Sequence, residues 1–330
     1  MTKASQFKKL KRRIVFMGSP EFAIPTLKEI ALTHNVCAVY TQPPKQFGRG
    51  LKEKHVPVAQ HAIQTGLPLF TPKNFNSKSV LSKLKSHKAE IFVVVAYGLI
   101  LPTKVLTLCR FGCLNGHASI LPRWRGAAPI QRALEAGDNE TGVSAMIMGQ
   151  GVDSGPLVHC CKTPIQKNEN FESLHNRLSV LTAKCLSKVI NNLPESLSNP
   201  RAQQETGICY ANKITKEDTE INWSQSAAEI DRKIRAFAPR PGAWCHGPRD
   251  RLQILAAEPC ILPRGTTQLP EGSFLGKSND GAIIIRCSDQ GLAINKVLPA
   301  GKKPMTAEEF LNGVVISVGD LLSNRIKGRV

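Results

Sequence analysis

The sequence predicts a doubly wound α/β fold with a mostly parallel sheet, followed by a smaller β-rich domain. Three observations carry this expectation. Across residues 13–191, short apolar runs alternate with segments of helical period, the pattern of βαβ units. The pattern changes near residue 193, where residues 194–205 are rich in Ser, Asn, Gln and Pro, as a linker is. Beyond them, short β-like runs alternate with Gly and Pro turns, as in a small barrel or sandwich. A chain of 330 residues is also long for one core and suits two domains. The expected bounds are 1–193 for the first domain, 194–206 for the linker and 207–330 for the second.

Taken in order, residues 13–17 read as a short buried strand. Gly18, Ser19 and Pro20 turn the chain, and residues 21–32 carry a helical pattern. Residues 36–41 form a second strand. Residues 42–57 are polar, hold Gly48, Gly50 and three prolines, and read as a loop longer than an ordinary βα connection. Residues 58–65 and 78–86 look helical. The uninterrupted β-branched and apolar run 91–96 suits a strand covered on both faces. Further strands are expected at 113–115, 143–148 and 157–163, with helices at 128–136 and 171–191. After residues 223–237, β-like runs fall at 252–256, 282–285 and 292–297, and no internal repeat is visible. Open parallel sheets bind ligands beyond the carboxyl ends of their strands. The loops after Met17, Ala96, Asn115 and Met148 lie at such ends, so their side chains can share one crevice.

Composition narrows the class. Lys and Arg total 44 against 25 Asp and Glu, a net charge of +19. Such an excess points to a polyanionic partner, with a proteome-wide basic bias as the alternative. The ten cysteines form no CxxC pair and several sit in apolar runs. That suits buried free thiols in a reducing compartment; Cys109 and Cys113 lack the repeated spacing of a zinc site. The N-terminus is basic, and the apolar stretch 14–17 is too short for a signal-peptide core. The longest apolar run, 91–101, is far short of a membrane span. A cytoplasmic chain with no membrane partner, acting as a monomer, is expected.

The densest chemistry lies in Asn115-Gly-His117-Ala-Ser119-Ile-Leu-Pro122-Arg-Trp-Arg125-Gly126-Ala-Ala-Pro129-Ile-Gln131. Asn115 and His117 are two apart at a strand end, so they can share a face and enter the crevice together. Later comes the glycine-rich turn Gly149-Gln-Gly151-Val-Asp153-Ser-Gly155, which presents one carboxylate. Asn, His and Asp supply an amide donor, a proton carrier and an anion to orient it. A lone His is more often packed or solvated, and Asp153 could simply close an Asx turn. From the residue types alone the two readings stand level. Gly18-Ser-Pro is not a GxGxxG turn, which argues against a dinucleotide oxidoreductase.

These stretches resemble the signature of the folate-dependent formyltransferases. Arg123-Trp-Arg-Gly-Ala-Ala-Pro-Ile-Gln131 is similar to the members that act on methionyl-tRNA. Val15-Phe-Met-Gly-Ser-Pro-Glu-Phe-Ala23, Ala96-Tyr-Gly-Leu-Ile-Leu-Pro102 and Arg235-Ala-Phe-Ala-Pro239 also resemble that family. The likeness runs in order over most of the chain, leaving out the first thirteen residues and the linker. Arg240 departs from it, standing where the family pattern has an aromatic residue.

The resemblance implies a Rossmann-like formyltransferase domain and an OB-like β-barrel that holds tRNA. It implies formyl transfer from 10-formyltetrahydrofolate, as co-substrate, to the amino group of methionyl initiator tRNA, with no metal. On that basis Asn115 donates to the formyl oxygen. His117 donates to the same oxygen or protonates the departing folate nitrogen, and Asp153 takes the amine proton and holds His117. Tyr97, Gly98, Leu99 and Leu101, with Ser119, Ile120, Leu121 and Pro122, are expected at the folate. Most of residues 91–101 would equally serve as a plain core strand. Lys45, Arg49, Lys52 and Lys54 are expected at the tRNA acceptor stem, unless that loop is only a solvated basic surface. Three rivals remain: a formyltransferase acting on a nucleotide sugar or purine precursor, a formyltetrahydrofolate hydrolase, and a non-catalytic RNA-binding protein. The basic loop disfavours the first two, and the presence of Asn115, His117 and Asp153 disfavours the third.

Overall fold

A computed structural model describes residues 11–47 and 52–322. These residues form two compact units. The first takes in the described residues up to Pro129, with Glu140–Pro164 and His175–Ala211. The second takes in Ile130–Asn139, Ile165–Leu174 and the described residues from Asn212.

In chain order the first unit opens with strand β1 (Arg13–Gly18), helix α1 (Ile24–Thr33) and strand β2 (Asn35–Tyr40). Strands β3 (Lys45–Phe47) and β4 (Lys52–Lys54) follow, then helix α2 (Pro57–Gln64), strand β5 (Leu69–Phe70) and helix α3 (Lys78–Ser86). Next come β6 (Ile91–Val95), α4 (Thr103–Leu106), β7 (Cys113–His117), β8 (Arg125–Gly126) and α5 (Pro129–Ala136), the last running on into the second unit. Strands β9 (Glu140–Ile147) and β10 (Leu157–Pro164) precede α6 (Phe171–Asn191) and β11 (Tyr210–Ala211).

Seven strands make the main sheet, in the order β10-β9-β7-β6-β1-β2-β5. β5, β2, β1, β6 and β7 run parallel; β9 pairs antiparallel with β7, and β10 pairs antiparallel with β9 at the edge. The chain builds β2 and β5 on one side of β1, then returns to build β6 and β7 on the other. The strand order therefore reverses between β1 and β6, the position where open α/β sheets leave a ligand crevice. Every residue of β6 is buried, as its unbroken apolar sequence requires for a strand covered on both faces. Side chains of β1, β2 and β6 meet Phe75, Leu84 and Tyr97 in one hydrophobic cluster.

One short stretch differs from the expected loop, and one strand pair was not expected. Within 42–57, β3 and β4 pair antiparallel, with Lys45 opposite Lys54 and Lys52 opposite Phe47. Further on, β11 pairs parallel with β8. All ten cysteines are free thiols. Burial pushes the Cys113 thiol up to about 12, so it stays protonated and inert.

The second unit centres on helix α7 (Ala227–Phe237) and an antiparallel sheet. Its strands are β12 (Ala243–His246), β13 (Arg251–Cys260), β14 (Phe274–Lys277), β15 (Ile283–Arg286), β16 (Gly291–Pro299) and β17 (Met305–Thr306), followed by α8 (Ala307–Asn312). The strand order is β12-β13-β16-β15-β14, with β17 on β16. A capping box between Ser226 and Glu229 starts α7, whose buried Ile230, Ile234 and Phe237 face the core. No helix among the described residues is long and apolar enough to cross a membrane.

Candidate active site

The crevice floor is set by three turns at the carboxyl ends of β1, β2 and β6. Ser19 Oγ donates to the Tyr97 carbonyl (3.0 Å) and accepts from the Gln42 N–H (3.2 Å). Gln42 Nε2 donates to the same carbonyl (3.2 Å). Ala96 and Gly98 have φ of 47° and 76°, so the chain leaves β6 abruptly.

β7 supplies the next wall. It lies between β6 and β9, so Asn115 and His117 stand on a strand paired on both sides. The intervening Gly116 faces the opposite side. A Cβ there would come within 2.7 Å of Thr182 Cγ2 and 2.9 Å of Leu186 Cδ1, so α6 packs directly on backbone. His117 is 7% exposed, and its Nε2 lies 2.8 Å from the Trp124 carbonyl. A carbonyl only accepts, which assigns a proton to Nε2. Nδ1 is then the working atom, and it lies 3.5 Å from Asp153 Oδ2.

Asp153 arrives on the turn between β9 and β10 with φ at 45°, an uncommon left-handed conformation for a residue with a side chain. Its Oδ1 accepts from Asn115 Nδ2 (3.4 Å), and its Oδ2 accepts from the Gly126 N–H (2.8 Å). The turn is tight: a Cβ on Gly155 would run into the Ile147 carbonyl. Asn115, His117 and Asp153 thus come from two segments distant in sequence and meet through one carboxylate. An amide donor, a titratable ring and an anion in contact can stabilise a developing oxyanion and relay a proton.

The other expected site residues fall into three groups. Tyr97 and Leu101 are buried in the hydrophobic cluster, and the Tyr97 carbonyl is the one that Ser19 and Gln42 meet. Leu99 packs partly against that cluster, while Gly98 is exposed. Ser119 is fully buried, and its hydroxyl donates to the Arg123 carbonyl (2.6 Å). Leu121 is also buried, its N–H on Ser144 Oγ (3.0 Å), while Ile120 and Pro122 are half-buried. Lys45, Lys52 and Lys54 stand in the β3–β4 ladder, and Arg49 lies outside the described residues. Sequence reasoning missed Ser19, Gln42, Ser144 and the Gly126 N–H. Among the described residues, no three His, Cys, Asp or Glu side chains gather as metal ligands would.

Residues 12–190 match the family model described as formyl transferase, and residues 213–315 match that of the formyl transferase C-terminal domain. A methionyl-tRNA formyltransferase of Cereibacter sphaeroides is 43% identical over 309 residues, covering 94% of this chain and 98% of its own. That of Pseudoalteromonas translucida is 40% identical over 302 residues, covering 91% and 94%. Among solved structures, HypX from Aquifex aeolicus superposes with a TM-score of 0.62 at 16% identity. The match covers 93% of this chain and 49% of HypX, so the chain spans about half the length of that protein. An N-formyltransferase from Helicobacter canadensis, in complex with folinic acid and dTDP-3-aminofucose, gives 0.59 at 16% identity over 86% of this chain and 98% of its own. At that identity the two structures speak to the fold alone.

Proposed function

This chain belongs to the formyl transferase family, and we propose that it moves a formyl group from 10-formyltetrahydrofolate to the α-amino group of methionyl initiator tRNA, for translation initiation. One observation carries the reading. The Asp153 carboxylate lies 3.4 Å from Asn115 Nδ2 and 3.5 Å from His117 Nδ1, at the edge of the crevice where the strand order reverses. The full-length relatives, named for methionyl-tRNA, support the acceptor.

The neutral methionyl amine attacks the formyl carbon. An α-amino group titrates near pH 8, roughly, so the neutral form is accessible without strong base catalysis. As the carbonyl oxygen gains charge, the second Nδ2 proton of Asn115 donates to it; the amide needs no proton transfer to do so. Asp153 accepts a proton from the attacking nitrogen. His117 Nδ1, unprotonated at the start and 3.5 Å from that carboxylate, takes this proton from Asp153 and passes it to the folate nitrogen as its bond to the formyl carbon breaks. The sum is one formyl group moved one way and one proton moved the other. The turn after β6, at Gly98 and Leu99, with Ile120 and Pro122, borders the slot for the folate rings.

In this reading residues 1–193 do the chemistry, and residues 207–330, an OB-like barrel, hold tRNA. Lys45, Lys52 and Lys54 all fall within the β3–β4 ladder, and a basic stretch of this kind suits a phosphate backbone. In the second unit Arg249, Arg251 and Lys302 are exposed around a cavity of about 430 Å³ that Phe310 and Met305 also line. The test is direct: incubate the protein with 10-formyltetrahydrofolate and charged initiator tRNA, and look for formylmethionine. Formylation of a nucleotide-linked amino sugar without any formylmethionine would overturn the acceptor, and free folate with formate would mark a hydrolase.

A further inference from the structure

Gln203 lies in the polar stretch between the first unit's last long helix and β11, where composition suggests a spacer. Its side chain is nevertheless fully engaged. Gln203 Nε2 donates to the carbonyls of Asp153 (2.7 Å) and Gly155 (2.8 Å). Its Oε1 accepts from Arg125 Nε (3.0 Å) and Nη2 (2.8 Å). Two carbonyls on one side and a guanidinium on the other leave only one orientation for the amide, since carbonyls accept and guanidinium donates. Arg125 is buried, and the next residue, Gly126, donates its N–H to Asp153 Oδ2 (2.8 Å). The contacts close a ring: Gln203 holds the main chain of Asp153, Arg125 holds Gln203, and the backbone after Arg125 holds the Asp153 carboxylate. Two neighbouring ties fasten the same segments together. Leu157 and Arg201 exchange backbone hydrogen bonds of 2.7 and 2.8 Å, and β11 pairs with β8 at Arg125 and Gly126.

We propose that Gln203 is a positioning residue for the reaction: residues 201–211 form a strap, and Gln203 is the point at which it holds the Asp153 turn, with its left-handed φ, against Asn115 and His117. The inference rests on the catalytic reading of Asp153 given above. Gln203 touches no reacting atom. It acts by holding the carboxylate where the two other groups meet it, and a misplacement of about one ångström costs on the order of a hundredfold in rate.

The test uses the full chain, 10-formyltetrahydrofolate and charged initiator tRNA. Gln203→Leu removes both halves of the amide's bonding. Gln203→Glu keeps an acceptor for Arg125 but sets a carboxylate oxygen against the Asp153 and Gly155 carbonyls, and the Tm of both variants, measured alongside, identifies one that fails to fold. Both should lower kcat about tenfold to a hundredfold, with less than about a twofold change in KM for folate. In an Asp153→Ala background the same substitutions should cost nothing further, because the group they position is gone. Wild-type kcat in Gln203→Glu overturns the proposal, as does an equal fall in both backgrounds. If Asp153→Ala alone keeps the wild-type kcat, the catalytic reading of Asp153 fails first, and the strap fails with it.

Discussion

The two halves of the candidate site are held in different ways. Asn115 and His117 stand on β7, hydrogen-bonded to β6 on one side and β9 on the other, with α6 packed against the strand at Gly116. Asp153 stands on a turn with a left-handed φ, and its contacts come from residues 27 to 50 positions away in sequence. The strand half inherits its geometry from the sheet, whose cooperativity resists local change. The turn half depends on a few hydrogen bonds, any one of which can be removed alone. The difference separates what a substitution costs in chemistry from what it costs in folding.

The largest effect should come from the strand half's chemistry. Asn115→Ala removes the oxyanion donor and should lower kcat by a factor equivalent to about 3 kcal/mol, with folate binding little changed. Wild-type turnover in the purified variant would remove Asn115 from the mechanism. Next in size is a stability effect that sharpens the contrast. Gly116→Ala forces a methyl against Thr182 and Leu186, and overpacking of this kind costs about 1–3 kcal/mol. Its Tm should fall accordingly, and an unchanged Tm would show that α6 can yield, so that the strand half is less rigid than its pairing suggests.

Smaller still is the expected effect at Arg49, which belongs to the basic stretch 42–57 and lies outside the described residues. Arg49→Ala should lower kcat/KM for charged tRNA by about tenfold, the scale of one charge-assisted phosphate contact. The KM for folate should hold. If kcat/KM for tRNA is unaffected, the loop is only a solvated basic surface. The smallest effect lies at the far edge of the same sheet and serves as a control. There His87 Nε2 sits 3.0 Å from Tyr40 Oη, and burial, then the charges of Lys83 and Arg13, push its pKa down. A folded-state value below the unfolded one means that the unfolded chain takes the proton more readily. Stability present at neutral pH is therefore lost as pH falls through the histidine range. His87→Gln should flatten the acid limb of Tm against pH slightly, the smallest change of the four. A limb as steep as wild type would place the acid sensitivity elsewhere.

The same division runs through what could be read from the sequence. Helices at 78–86 and 171–191 matched their expected bounds, because helical period is visible in the residues themselves. β6 was legible because a strand buried on both faces must be apolar throughout. Asn115 and His117 were legible because a spacing of two puts both on one face of a strand. The glycines around Asp153 announced a turn. The sequence contained no comparable mark for Gln203, whose partners lie 48 to 78 residues away and which stands in a linker-like stretch with a second glutamine beside it. The β3–β4 ladder was hidden for a related reason, since lysines, prolines and glycines mask the pairing of two three-residue strands. Tyr97 has a role that its position alone did not mark. Its ring packs in the core, and its carbonyl gathers Ser19 and Gln42.

The close approach of α6 to Gly116 also bears on how β7 finds its place. Side chains of a strand alternate between faces, so sliding β7 by one residue along its neighbours would exchange its two faces. Asn115 or His117 would then have to occupy the position beneath Thr182 and Leu186, where even a single methyl finds atoms at 2.7 and 2.9 Å. The mispaired sheet could not accept its covering helix. A residue with no side chain thereby rejects the one alternative pairing that would bury the amide and the imidazole on the wrong side, and every molecule that completes α6 packing carries both groups facing the crevice.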